Sequence, residues 1–144
     1  MSTKMQQTTN DEQGKEVKGK DKQPVNPEGE MTHSGRYYQP ATDIYEMEDR
    51  LVVVMDVPGV KKEDLAITVE DDVLSVDARI DLNKYKDLAP VYTEYSVGHF
   101  YRRFTLSNTI NDQNIIAQVK NGVLILELEK AEEAKPRRIQ VNTT

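Results

Sequence analysis

The chain has 144 residues, about one domain's worth, and a hydrophobic fraction of 37%, short of the ~45–50% usual for globular proteins. It has no cysteine, which excludes a disulfide framework, a zinc–thiolate centre and a thiol nucleophile. Its net charge of −6 argues against a nucleic-acid-binding face, and no apolar run approaches the ~18 residues of a membrane span.

Residues 1–38 read as a disordered polar tail. Residues 1–36 hold six basic and six acidic side chains and no aromatic, so they cannot bury enough apolar surface to offset the entropy of ordering. All the net negative charge therefore lies in the body. The N-terminus has no apolar core of a secretory signal, so a cytoplasmic, reducing location is expected.

From Thr42 the apolar pattern has period two. Leu51, Val53, Met55 and Val57 alternate with Val52, Val54 and Asp56, which predicts a strand covered on both faces. Pro58-Gly59 ends it. Leu65, Ile67 and Val69 mark the next strand. Asp71-Asp72 makes a turn into a third, on which Leu74, Val76, Ala78 and Ile80 share a face. Residues 81–91 break the alternation in a connection too long for a tight hairpin, with Val91 to Ser96 expected as a short strand at its end. Phe100, Arg102, Phe104 and Leu106 share a face of the following strand. Asn121-Gly122 then joins residues 115–120 to 123–129, because both residues tolerate the positive φ of a two-residue type I′ hairpin. The short, regular spacing of these runs predicts an all-β sandwich.

Six short stretches in this order carry a family likeness. They are Pro40 to Glu46, Val57-Pro58-Gly59-Val60 with Asp64-Leu65, Val73 to Val76, Gly98 to Phe104, Ala117 through Leu124, and the terminal Ile139-Gln140-Val141. Together they resemble the α-crystallin domain of the small heat-shock proteins. The resemblance implies an immunoglobulin-like antiparallel β-sandwich over residues 39–130 and a flexible C-terminal extension over 131–144. It also implies an ATP-independent holdase that binds partly unfolded client proteins under stress and limits their aggregation. Family dimers form when the loop strand of one subunit pairs with a sheet edge of the other, and the terminal I-x-V anchor then docks on a neighbour.

The residues can be weighed against that picture. Alternation puts Arg102 on the face of Phe100 and Phe104, where a guanidinium becomes partly buried and needs a partner. The position matches the interface arginine of the family, and Glu94 in the loop strand is the candidate carboxylate. Tyr92 and Tyr95, on the same half of the loop, complete the expected dimer interface. Ile139 and Val141 are the expected anchor. The accepting groove is expected between the Leu65–Val69 and Ile115–Val119 strands, lined by Ile67, Val69 and Ile116.

Catalysis finds little support. His33 and His99 stand 66 positions apart with no carboxylate pattern beside either, and a lone strand histidine such as His99 is usually a surface residue. There is no glycine-rich phosphate loop, and no catalytic residue, metal or cofactor is expected. One departure from the family concerns assembly: the polar tail lacks the apolar residues that drive higher oligomers and hold clients. A polar-tailed subunit of mixed oligomers with a paralogous small heat-shock protein is therefore one alternative. Others are a CS-type adaptor with a dedicated partner, and a spore or surface structural protein.

Overall fold

The computed structural model of the protein describes Pro24 and residues 35–143. Its strands are β1 (Tyr37–Tyr38), β2 (Thr42–Glu46), β3 (Arg50–Asp56), β4 (Leu65–Glu70), β5 (Val73–Ala78), β6 (His99–Thr105), β7 (Ile110–Lys120) and β8 (Val123–Lys130). They form two four-stranded sheets, ordered β1-β6-β5-β4 and β2-β3-β8-β7. Every neighbouring pair is antiparallel except β1 with β6. The expected β-sandwich is thus the observed fold.

The period-two pattern sets what lies between the sheets. Leu74, Val76 and Ala78 of β5 and Phe100 of β6 point inward from one sheet; Val53 and Met55 of β3 and Leu124, Leu126 and Leu128 of β8 answer from the other. Val57 and Val60, on the crossing from β3 to β4, close one end of this core. Each such side chain gains about 1.5–3 kcal/mol on full burial. Together they make the sandwich a rigid platform.

Two turns keep the register. Asp71 and Asp72 have φ of 50° and 62°, and Asn121 and Gly122 have 52° and 76°. Each pair is a two-residue loop between antiparallel partners, Glu70 with Val73 and Lys120 with Val123, whose twist suits left-handed residues. The turns also extend the ladder within each sheet. Val57 N–H donates to the Gly122 carbonyl at 2.7 Å, and Leu106 N–H donates to the Asp72 carbonyl at 2.7 Å. The β7–β8 turn therefore lies where β3 ends, and the β4–β5 turn lies beside the connection from β6 to β7. Because β4 begins only after the crossing from the end of β3, β4 and β7 run in opposite senses.

Three expectations need correction. Tyr37 and Tyr38, assigned to the tail, are buried in the sheet: Tyr38 joins the core beside Phe100, and Tyr37 packs on His99 with ring centroids 5.0 Å apart. Pro24 makes an isolated bridge with Tyr38; the rest of the expected disordered segment, residues 1–23 and 25–34, lies outside the described residues. The second face of β3 is not covered, because nothing among the described residues packs over the sheet there, and Val52 and Val54 are only half-buried. Finally, Val91 to Ser96 form no strand. A strand needs a partner edge for its amides, and among the described residues this segment pairs with none of the sheet edges of its own chain.

Gly122 carries a steric constraint as well as a conformational one, since a Cβ there would lie 3.0 Å from Pro58 Cα. Gly122→Ala should destabilise the domain by about 1–2 kcal/mol, read as a lower urea midpoint with an unchanged slope. A midpoint equal to the parent's would remove this turn from the account.

Candidate assembly surfaces

Backbone geometry builds the first surface. Among the described residues β2 pairs with β3 alone, so its outer edge presents unpaired amides and carbonyls to any further strand. Ile44 and Tyr45 on β2, and Met47 just after it, are exposed. Such an apolar, unpaired edge is a template for another strand. The start of β2 is fixed by Pro40, whose carbonyl accepts from Thr42 Oγ1 at 2.9 Å and from Arg102 Nη1 at 3.2 Å. Arg102 thereby ties β6 to the beginning of β2, which puts β1 and β2 on one side of the sandwich and β4 and β7 on the other.

The Arg102 guanidinium also lies 5.0 Å from the Phe104 ring centroid, an attractive placement over the ring's negative face. It is partly buried, as alternation indicates. Its partner differs from the one expected. Among the described residues no carboxylate is within ion-pair distance of Arg102. Glu94 instead accepts a 2.6 Å hydrogen bond from the Tyr92 hydroxyl, which holds that phenol protonated above its usual range. The pair fails within one chain because Glu94 stands on an exposed loop while Arg102 faces inward.

The loop begins with a short 3₁₀ turn, Leu82–Tyr85, capped by Asp81 Oδ1 accepting from Asn83 N–H at 3.0 Å. Beyond it Leu88, Val91, Tyr92 and Tyr95 are all exposed. The base of the loop is held by a residue that sequence reading placed on the surface. His99 is buried, and its Nδ1 accepts from Ile80 N–H at 3.1 Å. Tyr37, just before the predicted domain, was the available signal for this burial. Gly98 is required by close approach: a Cβ there would stand 2.6 Å from both the Arg36 carbonyl and the Tyr38 ring.

The second surface follows β4 and β7. Leu65 and Ile67 pack against the core, with Val69 continuing their face into solvent. Across from them Ile115 and Val119 point inward, opposite Leu128 and Leu124 of β8. Ile116 does not join this lining. It pairs with Glu127 and is 49% exposed on the outer face of its sheet, since a one-residue step along a strand reverses the side chain. Ile67 and Val69 share one side of β4, and on β7 the inward side is carried by Ile115 and Val119.

The extension is held before it is released. Lys130 N–H donates to the Asp49 carbonyl at 2.8 Å and Ala131 N–H to the Thr109 carbonyl at 2.7 Å. Lys135 Nζ then reaches back to Glu129 at 2.5 Å and Glu132 at 2.9 Å. Beyond this clasp Ile139 and Val141 are 77% and 87% exposed.

Bonds from Lys135 and the Asn114 amide hold the Glu129 carboxyl below the usual carboxylate range. A depressed folded-state value means that the clasp contributes at neutral pH and is lost as pH falls through that value. Hydrogen exchange at residues 131–135 should therefore stay slow down to the ordinary carboxylate range and rise only below it. Release at or above that range would contradict the clasp.

Among the described residues, no group of three or more His, Cys, Asp or Glu is placed to hold a metal ion. No helix there is long and apolar enough to cross a membrane. Comparison with known proteins points in one direction. The model of the Hsp20/alpha crystallin family matches residues 43–142. The spore protein SP21 of Stigmatella aurantiaca is 36% identical over 105 residues, covering 72% of this chain and 62% of that protein. A probable 15 kDa heat shock protein of Leptospira interrogans is 35% identical over 95 residues, covering 66% of this chain and 72% of the other. In structure, a small heat-shock protein from Xylella fastidiosa superposes with a TM-score of 0.58 at 30% identity, covering 72% of this chain and 96% of its own. Heat shock protein 16.0 of Schizosaccharomyces pombe gives 0.57 at 27% identity, covering 74% and 98%. These likenesses do not favour the CS-type adaptor. The chain belongs to the Hsp20/alpha crystallin family of small heat-shock proteins.

Proposed function

We propose that this chain is an ATP-independent holdase of the cytoplasm, working as an oligomer that binds partly unfolded proteins and limits their aggregation. One observation carries the reading: among the described residues β2 is an edge strand with exposed apolar side chains, and the exposed segment Val91 to Ser96 lies in no strand. Two copies satisfy both needs at once. The loop of each adds to the β2 edge of the other, so that main-chain hydrogen bonds give affinity and Tyr92 and Tyr95 give specificity. In the dimer Glu94 comes to the guanidinium of a partner's Arg102, a contact that its own chain does not make.

Higher assembly uses the extension. Ile139 and Val141, two residues apart on an extended chain, present a pair of apolar knobs to the channel between β4 and β7 of a neighbour. A single contact is weak after ordering costs, and several within one oligomer reinforce one another through effective concentration. Such contacts loosen on heating and free the apolar surface that clients need.

The direct experiment is suppression of aggregation of a heated model enzyme without ATP. Protection at near-stoichiometric ratios is expected; its absence in a folded protein would overturn the holdase reading for the chain alone. Arg102→Ala should enlarge or loosen the assembly in light scattering, and an unchanged size and melting would remove Arg102 from the interface. A second reading is favoured by the polar sequence of residues 1–36, which holds no aromatic side chain: the chain acts as a subunit of mixed oligomers with a paralogue whose tail is apolar. Sedimentation of the pure protein should then show small species, and a monodisperse large oligomer would contradict it.

A further inference from the structure

The channel between β4 and β7 has unlike ends. At one end, the β4–β5 turn carries Glu70, Asp71 and Asp72, and Asp112 lies near the start of β7; all four are exposed. At the other end Lys61, Lys62 and Lys120 are exposed together with Glu63 and Asp64. The Leu106–Asp72 and Val57–Gly122 backbone bonds fix this assignment of ends. The first end carries these four carboxylates, with Arg103 bordering Glu70 and Asp71 on the outer face of the sheet, and the second is mixed.

The anchor is also unlike at its two sides. Arg137 and Arg138 precede Ile139, while uncharged Asn142 and Thr143 follow Val141. Both arginines are exposed, and among the described residues neither they nor Asp71 and Asp72 make an ion pair.

Strand geometry couples these facts. Alternate residues of an extended chain lie about 7 Å apart on one side, so Arg137, Ile139 and Val141 have the same spacing as Asp71, Val69 and Ile67. With Ile139 beside Val69 and Val141 beside Ile67, the next step brings Arg137 to Asp71, and Arg138 reaches Asp72 or Asp112. The reverse direction carries Arg137 to apolar Leu65 and both arginines toward Lys61, Lys62, Glu63 and Asp64, where charges of both signs offset one another.

Resting on the proposed docking of the anchor, we infer that the channel of a second copy of this chain accepts residues 137–143 in one direction only. The arginine pair lies at the Asp71–Asp72 turn, and the peptide runs antiparallel to β4. Opposite charges steer the approach, and like charges reject the wrong register. The acidic turn thus reads polarity that the apolar knobs, nearly alike, do not carry.

The absence of native cysteine allows a test in the full chain. Thr143→Cys combined with Glu63→Cys should crosslink between subunits on mild oxidation, with loss of the monomer band, whereas Thr143→Cys with Glu70→Cys should not. Crosslinking by the second pair alone, or equally by both, would overturn the direction while leaving docking intact. Crosslinking by neither pair would overturn the docking reading and this inference with it. Asp71→Asn/Asp72→Asn, substitutions that keep the left-handed turn, should reduce the salt dependence of assembly. An unchanged salt dependence would also overturn the role of the turn.

Discussion

An unpaired sheet edge is the constraint on which the rest of this structure depends. Backbone amides and carbonyls at such an edge are strong hydrogen-bonding groups, and water satisfies them only while the flanking surface stays wet. In this sandwich β2 combines that edge with exposed Ile44 and Tyr45. Stable monomers commonly blunt their edges with charge, proline or a covering loop. Here Pro40 precedes the strand and Arg102 holds its start through the Pro40 carbonyl, yet the edge itself is left open. The same device that fixes β2 in place keeps it available.

The remaining elements make that openness useful. A dry, close-packed core of β3, β5, β6 and β8 fixes the sandwich, so that its margins can be incomplete without loss of the fold. The loop between β5 and β6 is pinned at its base by the Ile80–His99 bond and spreads exposed aromatic rings beyond it. At the opposite side the chain leaves β8, is clasped by Lys135, and sends its two apolar knobs outward. Loop and extension are thus both tethered at a known point and exposed beyond it, the arrangement needed for contacts that form and break between copies.

Much of the fold is legible in the sequence because period two is a strong signal. Leu124, Leu126 and Leu128 have one reading, and Asn121-Gly122 has one turn to make. The failures share a cause: each depended on a neighbour that the local pattern does not contain. Among the described residues the cover that the second apolar run of β3 suggests is not there, and Val91 to Ser96 look like a strand but pair with no edge of their own chain. Tyr37 and Tyr38 sit next to a polar stretch and yet enter the sheet, because β6 offers them a free margin. His99 is buried for the same reason. For the assembly surfaces, alternation placed Arg102 on its face but did not reveal its carbonyl partner. Ile116 fell to a one-residue step that only the register with β8 resolves.

The account stands most directly on hydrogen exchange, read residue by residue, in the assembled protein and after dilution to single subunits. The outward amides of Thr42, Ile44 and Glu46, which the β2–β3 ladder leaves unbonded, and those of residues 91–96 should be protected together in the assembly and lose that protection together on dilution, while the β8 core stays slow throughout. Fast exchange at 91–96 in the assembly would contradict it, as would protection of the β2 edge that persists in the isolated subunit.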